Sequence, residues 1–164
     1  MKPRQLTLLL LAGVLLLVVA ACAAPATSSG GVKMENGVQQ VTVISGTGAD
    51  EYKFLPAGLT LSAGKTQITY ENRGGLVHEL MLLDNQDPAK IQQFIDAHMN
   101  EDASGEMAED AVPGILVIPE LEDVEAGTSQ TSDAFELAPG SYMIACMKPG
   151  HYEAGMYSTF TITN

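Results

Sequence analysis

Cys146, His151 and Met156 stand five residues apart in the stretch CMKPGHYEAGM, and each carries a donor that soft metals accept. A thiolate, an imidazole and a thioether at even spacing could close around one ion, although Cys and Met also serve as plain apolar filler. A fourth donor separates these readings. His78 is the candidate, because it lies early in a strand-like stretch, LVHELMLLD, in phase with Leu80 and Leu82. Two imidazoles and a thiolate in a trigonal set, with a weak thioether on the axis, suit copper in either oxidation state, so little has to move when one electron arrives.

Such a set requires two distant parts of the chain to meet at one pole. Strand signals supply the means. VTVIS (41–45) is rich in β-branched residues, and TQITYE (66–71) alternates Ile68 and Tyr70 with polar neighbours. LVHELMLLD (76–84), DAFELA (133–138), SYMIAC (141–146) and MYSTFTIT (156–163) supply later strands, with Pro139-Gly140 as a turn. Met156 shares a strand face with Phe160 and Ile162, and Cys146 shares one with Tyr142 and Ile144, so both can point inward. The loop between them carries His151 across the same end. Short strands at this spacing predict an all-β chain, an antiparallel Greek-key sandwich or barrel.

One helix interrupts the pattern, with Asp87 as its cap, Pro88 in its first position and Ile91, Phe94, Ile95 and Met99 as its apolar stripe. Residues 100–130 read as an acidic loop in which GILVIPEL (114–121) contributes an edge strand. His98, on the helix, is expected to be structural. Met81, Met143 and Met147 fall out of phase with the ligands and are expected to pack or to face the surface.

The N-terminus reads as a processed segment. Lys2 and Arg4 precede an apolar run from Leu6 to Val19, shorter than the roughly 20 residues that span a bilayer, and VAAC resembles a bacterial lipobox. Residues 1–21 are therefore expected to be a lipoprotein-type signal peptide and Cys22 the lipidated first residue of the mature protein, each buried methylene of its acyl chains contributing about 0.8 kcal/mol to anchoring. Residues 22–37, small and polar, read as a flexible tether, and 38–164 as one folded domain on the outer side of a bacterial cell membrane. With Cys22 acylated, Cys146 is the one free thiol in an oxidising compartment, which favours a metal over an idle thiol.

The formal charge is −12, and about −14 once Lys2 and Arg4 are lost. Nucleic acid is excluded as a partner, since its binding depends on clustered cations. Residues 84–136 hold 14 carboxylates and Lys90 as the single Lys or Arg, a solvated surface or a docking face for a basic protein.

At this point the residues meet a known family. YMIACMKPGHYEAGMYSTFTI resembles the C-terminal copper loop of cupredoxins, the type 1 blue copper proteins, and its Cys-x4-His-x4-Met spacing is that of the rusticyanin and auracyanin branches. YKFLPAGLTLSAGKTQITYENRGGLVHEL is similar to the other half of the pattern, with the first His ligand at its end. The resemblance implies a cupredoxin fold holding one copper ion through His78, Cys146, His151 and Met156, and a monomeric, non-enzymatic electron carrier with redox protein partners, cytochromes among the candidates. This sequence departs from the family at Glu79, where many members carry Asn or Ser, at Lys148 and Glu153 beside His151, and in the helical and acidic insertion after Leu83.

Rival functions fare less well. Multicopper enzymes need more than the three histidines present, and a two-copper centre needs two cysteines in this loop. A thioether is a poor zinc ligand. A copper chaperone or store, binding Cu(I) through exposed Met and His clusters, is the serious alternative.

Overall fold

The computed structural model describes residues 30–100 and 112–164. The expected signal peptide, Cys22 and residues 101–111 of the acidic stretch lie outside the described residues. Among those described, no helix is long and apolar enough to cross a membrane.

Among the described residues, ten strands form two five-stranded sheets. The first contains β1 (Gly31–Glu35), β2 (Val38–Ser45), β4 (Gly64–Asn72), β7 (Ser129–Thr131) and β8 (Phe135–Leu137). The second runs β3 (Leu59–Ser62), β10 (Tyr157–Thr163), β9 (Gly140–Ala145), β5 (His78–Leu83) and β6 (Val117–Val124). This is the all-β Greek-key sandwich, with one correction. The expected antiparallel sheets are mixed, because β2 pairs parallel with β4 and β3 parallel with β10. The chain leaves β2, crosses to the other sheet as β3 and re-enters beside β2 in its original direction, so the neighbour cannot be a hairpin partner. Strand β1 lies within the stretch read as tether, paired to β2 from Glu35↔Val38 to Gly31↔Thr42.

Alternation accounts for most strand faces. In β10, Ser158, Phe160 and Ile162 are buried while Tyr157, Thr159 and Thr161 are exposed, the pattern of a strand with one dry face. Strand β5 differs, for all six of its residues are buried. Its even-numbered members, with Ile144, Cys146, Met156 and Phe160, belong to the core between the sheets. Met81 and Leu83 belong to a second cluster, with Met143, Ala145 and Met147, beneath α1 (Pro88–His98).

The helix is thus a third layer on the outer face of the second sheet, and the three methionines out of phase with the ligands are its floor. Asp87 caps it, accepting a hydrogen bond from the Ala89 N–H at 2.9 Å, and Pro88 occupies the first turn. Its buried stripe is Ile91, Phe94 and Ile95. Met99, expected in that stripe, is 45 % exposed, because the helix ends at His98 and Met99 sits in the C-cap beyond the sheet. The edge strand expected over 114–121 is β6, shifted to Val117–Val124 and paired with β5.

Candidate metal centre

The pocket forms where β5 begins and β9 ends. Asn72, at the end of β4, prepares the first side. Its Oδ1 accepts hydrogen bonds from Ser45 Oγ at 3.1 Å and the Gly74 N–H at 2.9 Å, and its Nδ2 donates to the carbonyls of Leu76 and Val124, both at 2.7 Å. The NRGG turn is therefore tied to the sandwich wall, and the chain emerges from it with His78 facing inward.

Cys146 follows β9 directly and opens the loop to β10. The loop closes on itself: the Cys146 N–H donates to the Met156 carbonyl at 3.1 Å, and the Met156 N–H donates to the His151 carbonyl at 3.0 Å. Gly150 and Gly155 have φ of +80° and +97°, left-handed conformations that glycine adopts without a Cβ penalty, and they turn the chain on either side of the 151–154 segment.

The arrangement brings His78, Cys146 and His151 together as the sequence predicted. Their ligand atoms all lie within 4.8 Å of one another. His78 Nδ1 is 3.1 Å from His151 Nδ1, and Cys146 Sγ is 3.3 Å from the same atom. These separations approach the roughly 3.5 Å that a trigonal ion with bonds of about 2.0–2.3 Å requires. One thiolate and two imidazoles are a donor set that fits copper. Met156 is fully buried and its backbone is bonded to both Cys146 and His151.

Burial sets the electrostatics. It pushes the Cys146 thiol up to about 12, against the opposing N–H donors of Glu79 and Lys148, so the metal-free site holds a protonated thiol. Burial also lowers the pKa of His151, and the positive charge of Lys148 adds to the effect. His151 is therefore neutral, the form that can bind metal, over a wider pH range than a free histidine.

Three further residues frame the pocket. The Glu79 N–H donates to Cys146 Sγ at 3.5 Å, and Glu79 Oε1 accepts from the Met147 N–H at 2.6 Å. Glu79 therefore braces the 146–156 loop through both its main chain and its side chain. Glu51 Oε1 lies 3.1 Å from His78 Nε2, and the Tyr52 ring packs edge-on against His151 with centroids 5.2 Å apart. Nothing in local spacing marks Glu51 or Tyr52, since both reach the site across the 46–58 excursion. His98 is joined to the site at one remove, with Nε2 3.7 Å from Glu79 Oε1 and its ring stacked on Phe94. Lys148, beside His151 as the sequence has it, accepts the His151 N–H through its carbonyl at 2.9 Å while its ammonium lies between Asp123 and Glu79.

A sandwich with a His–Cys–His cluster at one end, two of its three members buried, defines a class of copper-binding domain, and comparison with known proteins agrees. Residues 40–163 match the copper binding proteins of the plastocyanin/azurin family, and the chain belongs to that family. It is 30 % identical over 141 residues to auracyanin-B of Chloroflexus aurantiacus, a match covering 84 % of this chain and 59 % of that protein. A solved structure of auracyanin B superposes with a TM-score of 0.63 at 26 % identity, covering 83 % of this chain and 96 % of the other. The dithionite-reduced auracyanin of Roseiflexus castenholzii gives a TM-score of 0.62 at 20 % identity, over 76 % and 97 % of the two chains.

Proposed function

We propose that the protein is a blue copper electron carrier, not an enzyme, with His78, Cys146 and His151 as the strong ligands of one copper ion and Met156 as the weak axial ligand. The observation that carries this reading is the convergence of two imidazole nitrogens and one buried thiol within 4.8 Å. The bound ion supplies a one-electron couple. The chain supplies a rigid, dry setting for it. His78, Cys146 and Met156 each have no solvent exposure, and the paired strands β5 and β9 of one sheet carry the first two. His151 alone of the four is partly exposed, so its ring edge gives a redox partner the shortest path to the site.

In the same reading, residues 1–21 are a signal peptide, Cys22 carries the lipid, residues up to the first strand are the tether, and the domain works as a monomer on the outer face of a bacterial membrane. Its partners are electron donors and acceptors, with cytochromes among the candidates. An enclosed ligand set favours a carrier over a chaperone or store, whose donors must be open to exchange.

Adding Cu(II) to the purified metal-free protein tests the reading. One equivalent should bind with an intense visible thiolate-to-copper charge-transfer band, and Cys146→Ser should abolish it. A colourless protein that binds Cu(I) tightly would transfer the case to the chaperone.

A further inference from the structure

Resting on the copper reading above, we propose that Glu51 is the positioning residue of His78. Its carboxylate holds the ring by Nε2–H, turns Nδ1 into the metal pocket and fixes a negative charge one imidazole away from the ion. The geometry is directional. A carboxylate only accepts hydrogen bonds, so the 3.1 Å contact between Glu51 Oε1 and His78 Nε2 places the proton on Nε2 and leaves the lone pair on Nδ1.

The carboxylate does not depend on His78 for its own place. The Gly75 N–H donates to Oε1 at 2.8 Å and to Oε2 at 3.0 Å, and the Leu76 N–H donates to Oε1 at 3.0 Å. A side chain at Gly74 would strike the same carboxylate, so the NRGG turn is shaped around it. Water screens the contact only partly, because the Glu51 side chain is 14 % exposed and that of His78 is fully buried.

Two consequences follow. A carboxylate behind a metal-bound imidazole makes the ring a stronger donor, and its charge favours Cu(II), the more positive ion, over Cu(I). In the metal-free protein, His78 Nδ1 faces His151 Nδ1 at 3.1 Å. With His78 as acceptor, the shared proton belongs to His151 Nδ1, so the two histidines hold opposite tautomers before a metal enters.

The first experiment needs no copper. Long-range 1H–15N NMR of the metal-free protein at neutral pH should show His78 with its proton on Nε2 and His151 with its proton on Nδ1, and E51A should scramble the His78 tautomer. The second measures the reduction potential of the copper-loaded protein. Discounted for partial exposure, one charge at this remove should change the Cu(II)/Cu(I) affinity ratio about tenfold. The potential of E51Q should therefore rise by about 59 mV, E51D should restore most of the native value, and E153Q, which alters an exposed carboxylate beside His151, should shift it less. A native His78 protonated on Nδ1, or an E51Q shift no larger than that of E153Q, overturns the proposal. A protein that takes up no copper overturns the carrier reading instead and leaves the tautomer result standing.

Discussion

The carboxylate of Glu79 accepts the Met147 N–H at 2.6 Å while its own N–H points at Cys146 Sγ, so one residue grips the start of the metal loop through both side chain and main chain. Glu79 is 1 % exposed, and Lys148 and His98 approach its carboxylate at 3.6 and 3.7 Å. Glu79→Ala strands the buried Met147 N–H and removes the carboxylate that Lys148 and His98 approach, leaving Lys148 its pairing with Asp123. We expect it to destabilise the metal-free protein by about 1–3 kcal/mol, with Glu79→Gln milder because it keeps an oxygen for Met147. Urea unfolding followed by circular dichroism measures both. Equal midpoints for Glu79→Ala and the native protein would show the brace to be idle.

The helical layer should be a stability element separable from the metal chemistry. Phe94 is 1 % exposed and belongs to the cluster under α1 and not to the one containing Cys146. Phe94→Ala should cost about 3–5 kcal/mol in the metal-free protein. The copper charge-transfer band should persist at a temperature where the variant is still folded. Loss of the band from a folded variant, seen by parallel absorption and circular dichroism, contradicts the separation.

Copper uptake should release protons in a pattern set by the buried thiol. The Cys146 thiol, pushed up to about 12 by burial, is protonated throughout the neutral range and must lose its proton to bind. Uptake at pH 7 should therefore liberate one proton, and apparent affinity should rise about tenfold per pH unit on this account. His151, whose pKa is lowered by burial, adds less to the release than an ordinary histidine would and competes with metal in more acid solution than one. An indicator dye in weak buffer reads the release, and uptake without it would mean that the thiol does not ligate.

Met156 should tune the couple without creating the colour. Replacing its thioether with a harder oxygen donor favours Cu(II), so Met156→Gln should lower the reduction potential while the visible band survives. Cyclic voltammetry on the two proteins decides, and an unchanged potential removes Met156 from the ligand set.

What the sequence disclosed was what local rules encode. Cys146 and Met156 sit at strand ends whose inward face is set by Ile144 and Phe160, so alternation alone aimed them. Helix α1 was legible because the adjacent Asp87 and Pro88 mark its start, whereas Met99 was misplaced because a periodic stripe does not say where the helix ends. The parallel pairing of β2 with β4 was hidden because alternation is the same in either direction. Glu51 was hidden for another reason: its contact with His78 spans 27 residues, and only the closed fold brings the two together.

Consecutive residues at the start of β5 look into different compartments, His78 into the core between the sheets and Glu79 into the space under the helix. The metal pocket therefore has no private wall on that side. A chimera that swaps the segment after Leu83 for a shorter connection would exchange part of the pocket's frame along with the loop, so Glu79 and His98 should be transplanted as a pair or left as a pair.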